Sequence, residues 1–243
     1  MTTDAPTVSD SASAGARFTI ADPTGLSEGP DKLKDMLLDL VLPLECGGCG
    51  VPGTRWCPTC TRTLAVLADE PLMITPRLDP GVPVLSLGRY AGPRRAAIIA
   101  VKEHGRTDLV APLATAVGAG VSRLVAWGIV EVPLTLVPAP TRGTAARRRG
   151  GDPVTAIARA AAVPGTAIVV ALRMRAFTRD SVGLSPGQRQ RNIAGRVRLR
   201  KDVRGEVLLI DDVVTTGATA CESVRVLQTA GVRVAAILAI AHA

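Results

Sequence analysis

Residues 207–219 read Val207-Leu-Leu-Ile-Asp211-Asp212-Val-Val-Thr215-Thr216-Gly217-Ala218-Thr219. Four apolar residues predict a buried strand over 207–210, with two adjacent carboxylates at its C-terminal end. A Thr/Gly turn then opens directly into an apolar-periodic stretch, which predicts a helix over 217–230. In open α/β sheets ligands bind at the carboxyl ends of strands, so the segment lies where a site belongs. The backbone N–H groups of residues 216–219 open a helix, where the macrodipole favours an anion. Gly217 lets backbone approach a phosphate closely, and the threonine hydroxyls add donors. Asp211 and Asp212 would repel that anion and must face something else. A polyol such as ribose suits them through charge-assisted hydrogen bonds, and Mg²⁺ is the other partner carboxylates take here.

Working outward, strands and helices alternate. Residues 82–90, 134–137, 168–172, 207–210 and 232–240 read as strands. Residues 93–104, 108–127 and 152–162 read as helices, the last with Asp152 as N-cap and Pro153 at its first position. The stretch 185–200 reads as part helix and part strand. This alternation implies an α/β fold with a central, mainly parallel sheet covered on both faces, spanning residues 82–243. Residues 1–30 are Ser/Thr/Ala/Gly/Pro-rich without periodicity and read as a disordered tail. Helical spacing begins at Asp31, and residues 31–70 form a small helical module too small to bury a core unaided.

The chain has 243 residues, 47% hydrophobic and only 2% aromatic, with a net charge of +8. So few aromatics argue against base-stacking platforms of the kind found in RNA-recognition sheets and single-strand-binding barrels. Residues 142–204 hold 15 Lys and Arg against three acids, a local +12, which leaves the rest at −4. Such a block points to an anionic partner: a small phosphate, a nucleic acid or a membrane surface. The apolar stretches 109–121 and 163–172 fall short of a bilayer span, and the first 17 residues lack the pattern of a secretory signal. A reducing cytoplasm is therefore expected.

In that compartment clustered cysteines bind metal more often than they form disulfides. Cys46-Gly-Gly-Cys49 and Cys57-Pro-Thr-Cys60 are two C-x2-C pairs separated by seven residues. Four thiolates fill a tetrahedral Zn²⁺ site with no open position, so the expected zinc is structural. Cys221 falls in an apolar run and reads as a small core residue. Lys102 and Arg106 flank the end of the 93–104 helix, as phosphate ligands or as favourable charges there. His104, between them, reads as a surface histidine.

The 207–219 segment resembles the 5-phosphoribosyl-1-pyrophosphate (PRPP) motif of type I phosphoribosyltransferases. That resemblance implies ribose contacts and a catalytic role for Asp211 and Asp212. It gives the 5′-phosphate to Thr215, Thr216, Gly217, Ala218 and Thr219. With the four-cysteine module ahead of it, the chain resembles the competence-associated ComF family over residues 33–241. Further carriers of the likeness are Tyr90-Ala-Gly-Pro93, the run from Lys102 to Asp108, Val137-Pro-Ala-Pro140, Leu184-Ser185, and Arg189-Gln-Arg191-Asn192. The fold implied is the type I phosphoribosyltransferase one, in which the loop after residue 137 faces pyrophosphate. Lys102 and Arg147 then join the PRPP ligands. One departure stands out: Arg147-Arg-Arg149-Gly-Gly-Asp152-Pro153 replaces the family's basic residues followed by Gly-Phe-Asn-Gln.

Two functions are compatible with these residues. One is Mg²⁺-dependent transfer of phosphoribose from PRPP to an acceptor that nothing in the sequence specifies. The other is a non-catalytic accessory factor in DNA uptake or repair, binding nucleotides or single-stranded DNA through the basic block.

Overall fold

The computed structural model describes residues 44–141, 151–175 and 195–243. The 1–30 tail, the helix from Asp31, Arg147, and the stretch with Arg189 and Arg191 lie outside them. The described residues belong to one compact unit, residues 43–243. In chain order they form α1 (Pro58–Leu64), β1 (Leu72–Met73), β2 (Val84–Ser86), α2 (Gly92–His104), a 3-10 turn (Thr107–Leu109) and α3 (Val110–Ala126). There follow β3 (Leu134–Pro138), α4 (Pro153–Ala160), β4 (Thr166–Ile168), β5 (Leu172–Met174), β6 (Val197–Leu199), β7 (Glu206–Val214), α5 (Ala218–Thr229) and β8 (Arg233–His242).

Six strands make one sheet in the order β1-β2-β8-β7-β3-β4. The pairs β2·β8, β8·β7, β7·β3 and β3·β4 are parallel, and β1 is an antiparallel edge. The α/β architecture with a mainly parallel sheet is therefore present. Helix placement follows from crossover handedness. The steps β2→β3 and β3→β4 cross the sheet one way, and right-handed connections put α2, α3 and α4 on one face. The step β7→β8 runs the other way and puts α5 on the opposite face. The core splits accordingly. On the first face Leu113, Val117, Val121 and Ile157 meet Leu136, Leu208, Ile210 and Leu238. On the second, Val224 and Leu227 meet Val137, Val207, Leu209 and Ile237.

Several elements differ from the sequence reading. The strand expected over 82–90 is only Val84–Ser86. The apolar run 168–172 divides between two sheets, β4 in the main one and β5 in a separate ribbon with β6. β7 extends to Val214 and carries both carboxylates inside the strand. β8 contains a bulge: Val207 pairs with Val234 and Leu208 with Ala236, leaving Ala235 over. The bulge lets residues 234 and 237 share a face despite their odd spacing. The stretch Thr107–Ala126 is long and apolar enough to cross a membrane, with mean hydropathy 1.6, a longer span than the expected 109–121. Half of it is buried inside the fold, and its apolar side supplies the first core.

Candidate functional site at the sheet's switch point

β3 pairs with β7 only as far as Pro138 opposite Ile210, where the Ala139 N–H donates to the Ile210 carbonyl at 2.8 Å. Beyond that point the chains part, one toward β4 and the other toward β8. A crevice at such a reversal of strand order is where open α/β sheets hold ligands. β7 runs on for four residues with β8 alone beside it, Asp211 opposite Ala239 and Val214 opposite His242. Among the described residues no strand pairs with β7 on the β3 side at Asp211 and Asp212. Each carboxylate takes the next backbone N–H: Asp212 donates to Asp211 Oδ1 at 2.8 Å and Val213 to Asp212 Oδ1 at 2.7 Å.

Both acids are buried, at 7% and 6% exposure. The Lys102 ammonium, on the C-terminal part of α2, pairs with Asp212 Oδ2 at 2.5 Å. Among the described residues these two carboxylates share one cation, and the shortfall falls on Asp211. Burial first, then the charge of Asp212, pushes the Asp211 carboxyl up to about 7, against the pull of Lys102. Burial drags the Lys102 ammonium down, but the Asp212 charge and contact, with Asp211 behind them, outweigh it and hold the group above its ordinary value. The sequence left Lys102 between phosphate ligand and helix-end charge. The structure gives it to the acidic pair. Such a site can accept hydrogen bonds from neighbouring hydroxyls, with Lys102 fixing Asp212 in place.

The turn after β7 is set by its neighbour. Gly217 has φ +83°, and a Cβ there would fall 2.5 Å from the Leu78 carbonyl oxygen. The Leu78 N–H in turn donates to the Thr216 carbonyl at 2.9 Å, so the segment joining β1 to β2 straps the turn. The Cys221 N–H to Gly217 carbonyl bond at 2.8 Å opens α5. An α-helix leaves its first four N–H groups without intrahelical partners, and a glycine cap offers no side-chain acceptor. One amide is partly occupied: Ala218 donates to Thr216 Oγ1 at 3.4 Å. Thr215 is exposed beside it. Gly217→Ala combines a strained φ with a backbone clash, and a cost of about 2 kcal/mol is expected. Thermal unfolding should show it as a Tm lower by roughly 5 °C; an unchanged Tm would mean the strap yields freely.

Across the crevice, Pro138, Ala139 and Pro140 are buried, and Thr141 follows them. Asp152 holds the position of an N-cap, but its carboxylate takes hydroxyls instead of helix amides: Thr155 at 2.5 Å and Thr141 at 2.9 Å. It therefore clasps the two ends of segment 142–150 together.

The four-cysteine centre is assembled. Sγ atoms of Cys46, Cys49, Cys57 and Cys60 all lie within 4.8 Å of one another. The pairs Cys46–Cys60 and Cys49–Cys57 are 3.7 and 3.6 Å apart, and all four thiols are free. Tetrahedral Zn–S bonds of about 2.3 Å require sulfurs about 3.8 Å apart, so the donor set fits a structural zinc ion. Burial pushes the Cys46 thiol up, but backbone N–H groups of Cys49, Gly48 and Cys57 aim at its sulfur and bring it down to about 6. That favours the thiolate a metal needs. Gly48 is required by close approach, since a Cβ there would sit 2.6 Å from Cys60 Sγ. Arg106 ties this centre to α2. Its guanidinium forks onto Asp108 at 2.9 and 2.7 Å and reaches the carbonyls of Glu45 (3.3 Å) and Arg55 (3.4 Å). Arg106 is thus a structural bracket. His104 is exposed, in accord with its surface reading, and Cys221 is partly buried with its thiol toward the Leu78 carbonyl.

Sequence reasoning missed Ser86 and His242, which meet at the carboxyl ends of β2 and β8. The only signal for them was a histidine ending an apolar strand. Compared with protein-family models and with curated proteins, the chain matches none.

Proposed function

We propose that the protein binds PRPP as its Mg²⁺ complex and transfers the phosphoribosyl unit to an acceptor, as a member of the ComF group of phosphoribosyltransferase-like proteins. The observation carrying this reading is the pairing of two buried carboxylates with a glycine-capped helix start at the sheet's switch point. Asp211 and Asp212 accept from the ribose 2- and 3-hydroxyls, and the first-turn amides of α5 with Thr215 and Thr219 hold the 5′-phosphate. Lys102, paired with Asp212 Oδ2, holds that carboxylate oriented for the task. Loss of pyrophosphate leaves positive charge on the sugar, which a neighbouring carboxylate pair stabilises. Titration calorimetry with PRPP and Mg²⁺ should show one site per chain, and Asp212→Asn should weaken it at least tenfold. An equal affinity in the variant, or no heat at all, overturns the assignment.

A second reading is favoured by the β5–β6 ribbon. Its buried side holds Leu172, Met174 and Val197, and its other side pairs Arg173 directly opposite Arg198. Like charges facing each other across strands cost stability, which an anionic partner offsets. On this reading the ribbon follows a nucleic-acid backbone. A salt titration with single-stranded DNA separates the two: a steep slope reduced by Arg173→Ala supports it, and no binding at low salt removes it.

A further inference from the structure

His242 ends β8, and its Nδ1 lies 3.0 Å from Ser86 Oγ. Ser86 is wholly buried and has a single hydroxyl proton. That hydroxyl donates to the Gly88 carbonyl at 3.0 Å, which also accepts the His242 backbone N–H at 3.0 Å, while the Gly88 N–H donates to Ser86 Oγ at 3.2 Å. With the Ser86 proton on the Gly88 carbonyl, Nδ1 is the donor to Ser86. In that arrangement the ring proton sits on Nδ1 and Nε2 is left as a hydrogen-bond acceptor.

The ladder relates the residue that holds this imidazole to Asp211. Ser86 stands opposite Ala239, and Ala239 opposite Asp211, so the three form a row across β2, β8 and β7. Register partners in a parallel sheet share a face, and strands are about 4.8 Å apart. Ser86 and Asp211 thus lie about 10 Å apart on one face, with Ala239 between them in the row. His242 itself faces Val214, where β7 runs into the Thr215 turn.

We propose that His242 Nε2 belongs to the acceptor subsite and takes a hydrogen bond from the N–H or O–H group that receives the phosphoribosyl unit; this rests on the PRPP reading above. The acceptor is thereby defined as one that presents a donor and surrenders its proton. Its nitrogen or oxygen forms the bond to ribose C1 as the C1–O bond to pyrophosphate breaks. The electron pair of that bond leaves with pyrophosphate, and the acceptor's proton passes to Nε2. Ser86 acts as a positioning residue, holding the tautomer.

The chain has only two histidines, His104 and His242, so ¹⁵N-histidine NMR resolves each ring. The parent protein should show His242 as the Nδ1–H tautomer, and Ser86→Ala should let it mix with the other. His242→Asn places an amide N–H near the Nδ1 position, keeping a donor for Ser86 while removing Nε2. With water as the acceptor, pyrophosphate release from Mg²⁺–PRPP should fall about 100-fold in His242→Asn, and the PRPP dissociation constant should change less than threefold. PRPP should move the His242 ring signals and leave those of His104 in place. Tight PRPP binding with unmoved His242 signals and an unchanged release rate overturns this inference alone. Absence of PRPP binding overturns the underlying reading and this inference with it.

Discussion

At pH 8, Asp211→Asn melts above the parent protein by roughly 5–10 °C, while its affinity for PRPP is lost. Burial and the Asp212 charge set the Asp211 carboxyl at about 7 in the folded chain, well above its ordinary value near 3.8. The folded state therefore binds that proton more tightly than the unfolded one. The stability it contributes is complete below about pH 4 and disappears as pH rises through 7. About three pKa units correspond to at most about 4 kcal/mol, and each kcal/mol moves Tm by about 2–4 °C in a chain of this size. Asparagine supplies the neutral form at every pH, so the advantage of the variant should shrink as pH falls from 7 toward 4. Thermal melts across that range, beside calorimetry with PRPP, test both halves. A variant less stable than the parent at pH 8 would show that the ionised carboxylate is well satisfied in the free protein.

The second large effect belongs to the four-cysteine centre. The purified chain should hold one zinc ion, and Cys60→Ser should hold none. Structural zinc in small modules contributes on the order of 10 kcal/mol of apparent binding free energy, far more than residues 44–64 can gather from packing. Metal removal should therefore abolish hydrogen-exchange protection across residues 46–60. The loss should spread to Leu109, which packs on Gly47, and to Arg106, whose partners are carbonyls of this segment. The helices α3 and α5 should keep their protection. Full protection at residues 46–60 in metal-free protein would mean that packing alone folds the segment.

What sequence reading could reach was local. The cysteine spacing, the α2 boundaries and the strand–turn–helix at 207–219 follow from short-range pattern and chain chemistry. The end of β7 did not, because two aspartates look like the close of a buried strand. The strand continues through them, with Asp212 paired to Lys102 from more than a hundred residues earlier. The division of 168–172 was hidden for another reason: an unbroken apolar run carries no period to show where one sheet stops and another begins. The bulge at Ala235 is similarly invisible within Val-Ala-Ala-Ile, where every residue is apolar. Arg106 is the clearest case of equal local evidence, since a charge at a helix end reads alike whether it binds a ligand or a neighbouring loop. Only the carbonyls of Glu45 and Arg55 decide it.

The strand order has a consequence for how the chain assembles. β2 reaches the rest of the parallel sheet only through β8, whose residues lie some 150 positions later, and β1 is attached only to β2. β3, β4 and β7 can pair as soon as β7 exists, but the N-terminal strands have no parallel partner until β8 has been synthesised. Such distant pairing is slow, because a long loop must be closed before any contact rewards it. During translation Leu85 and its neighbours therefore wait with their sheet edge uncovered. Ser86, the strap at Leu78 and the crevice can join one surface only once β8 is in place.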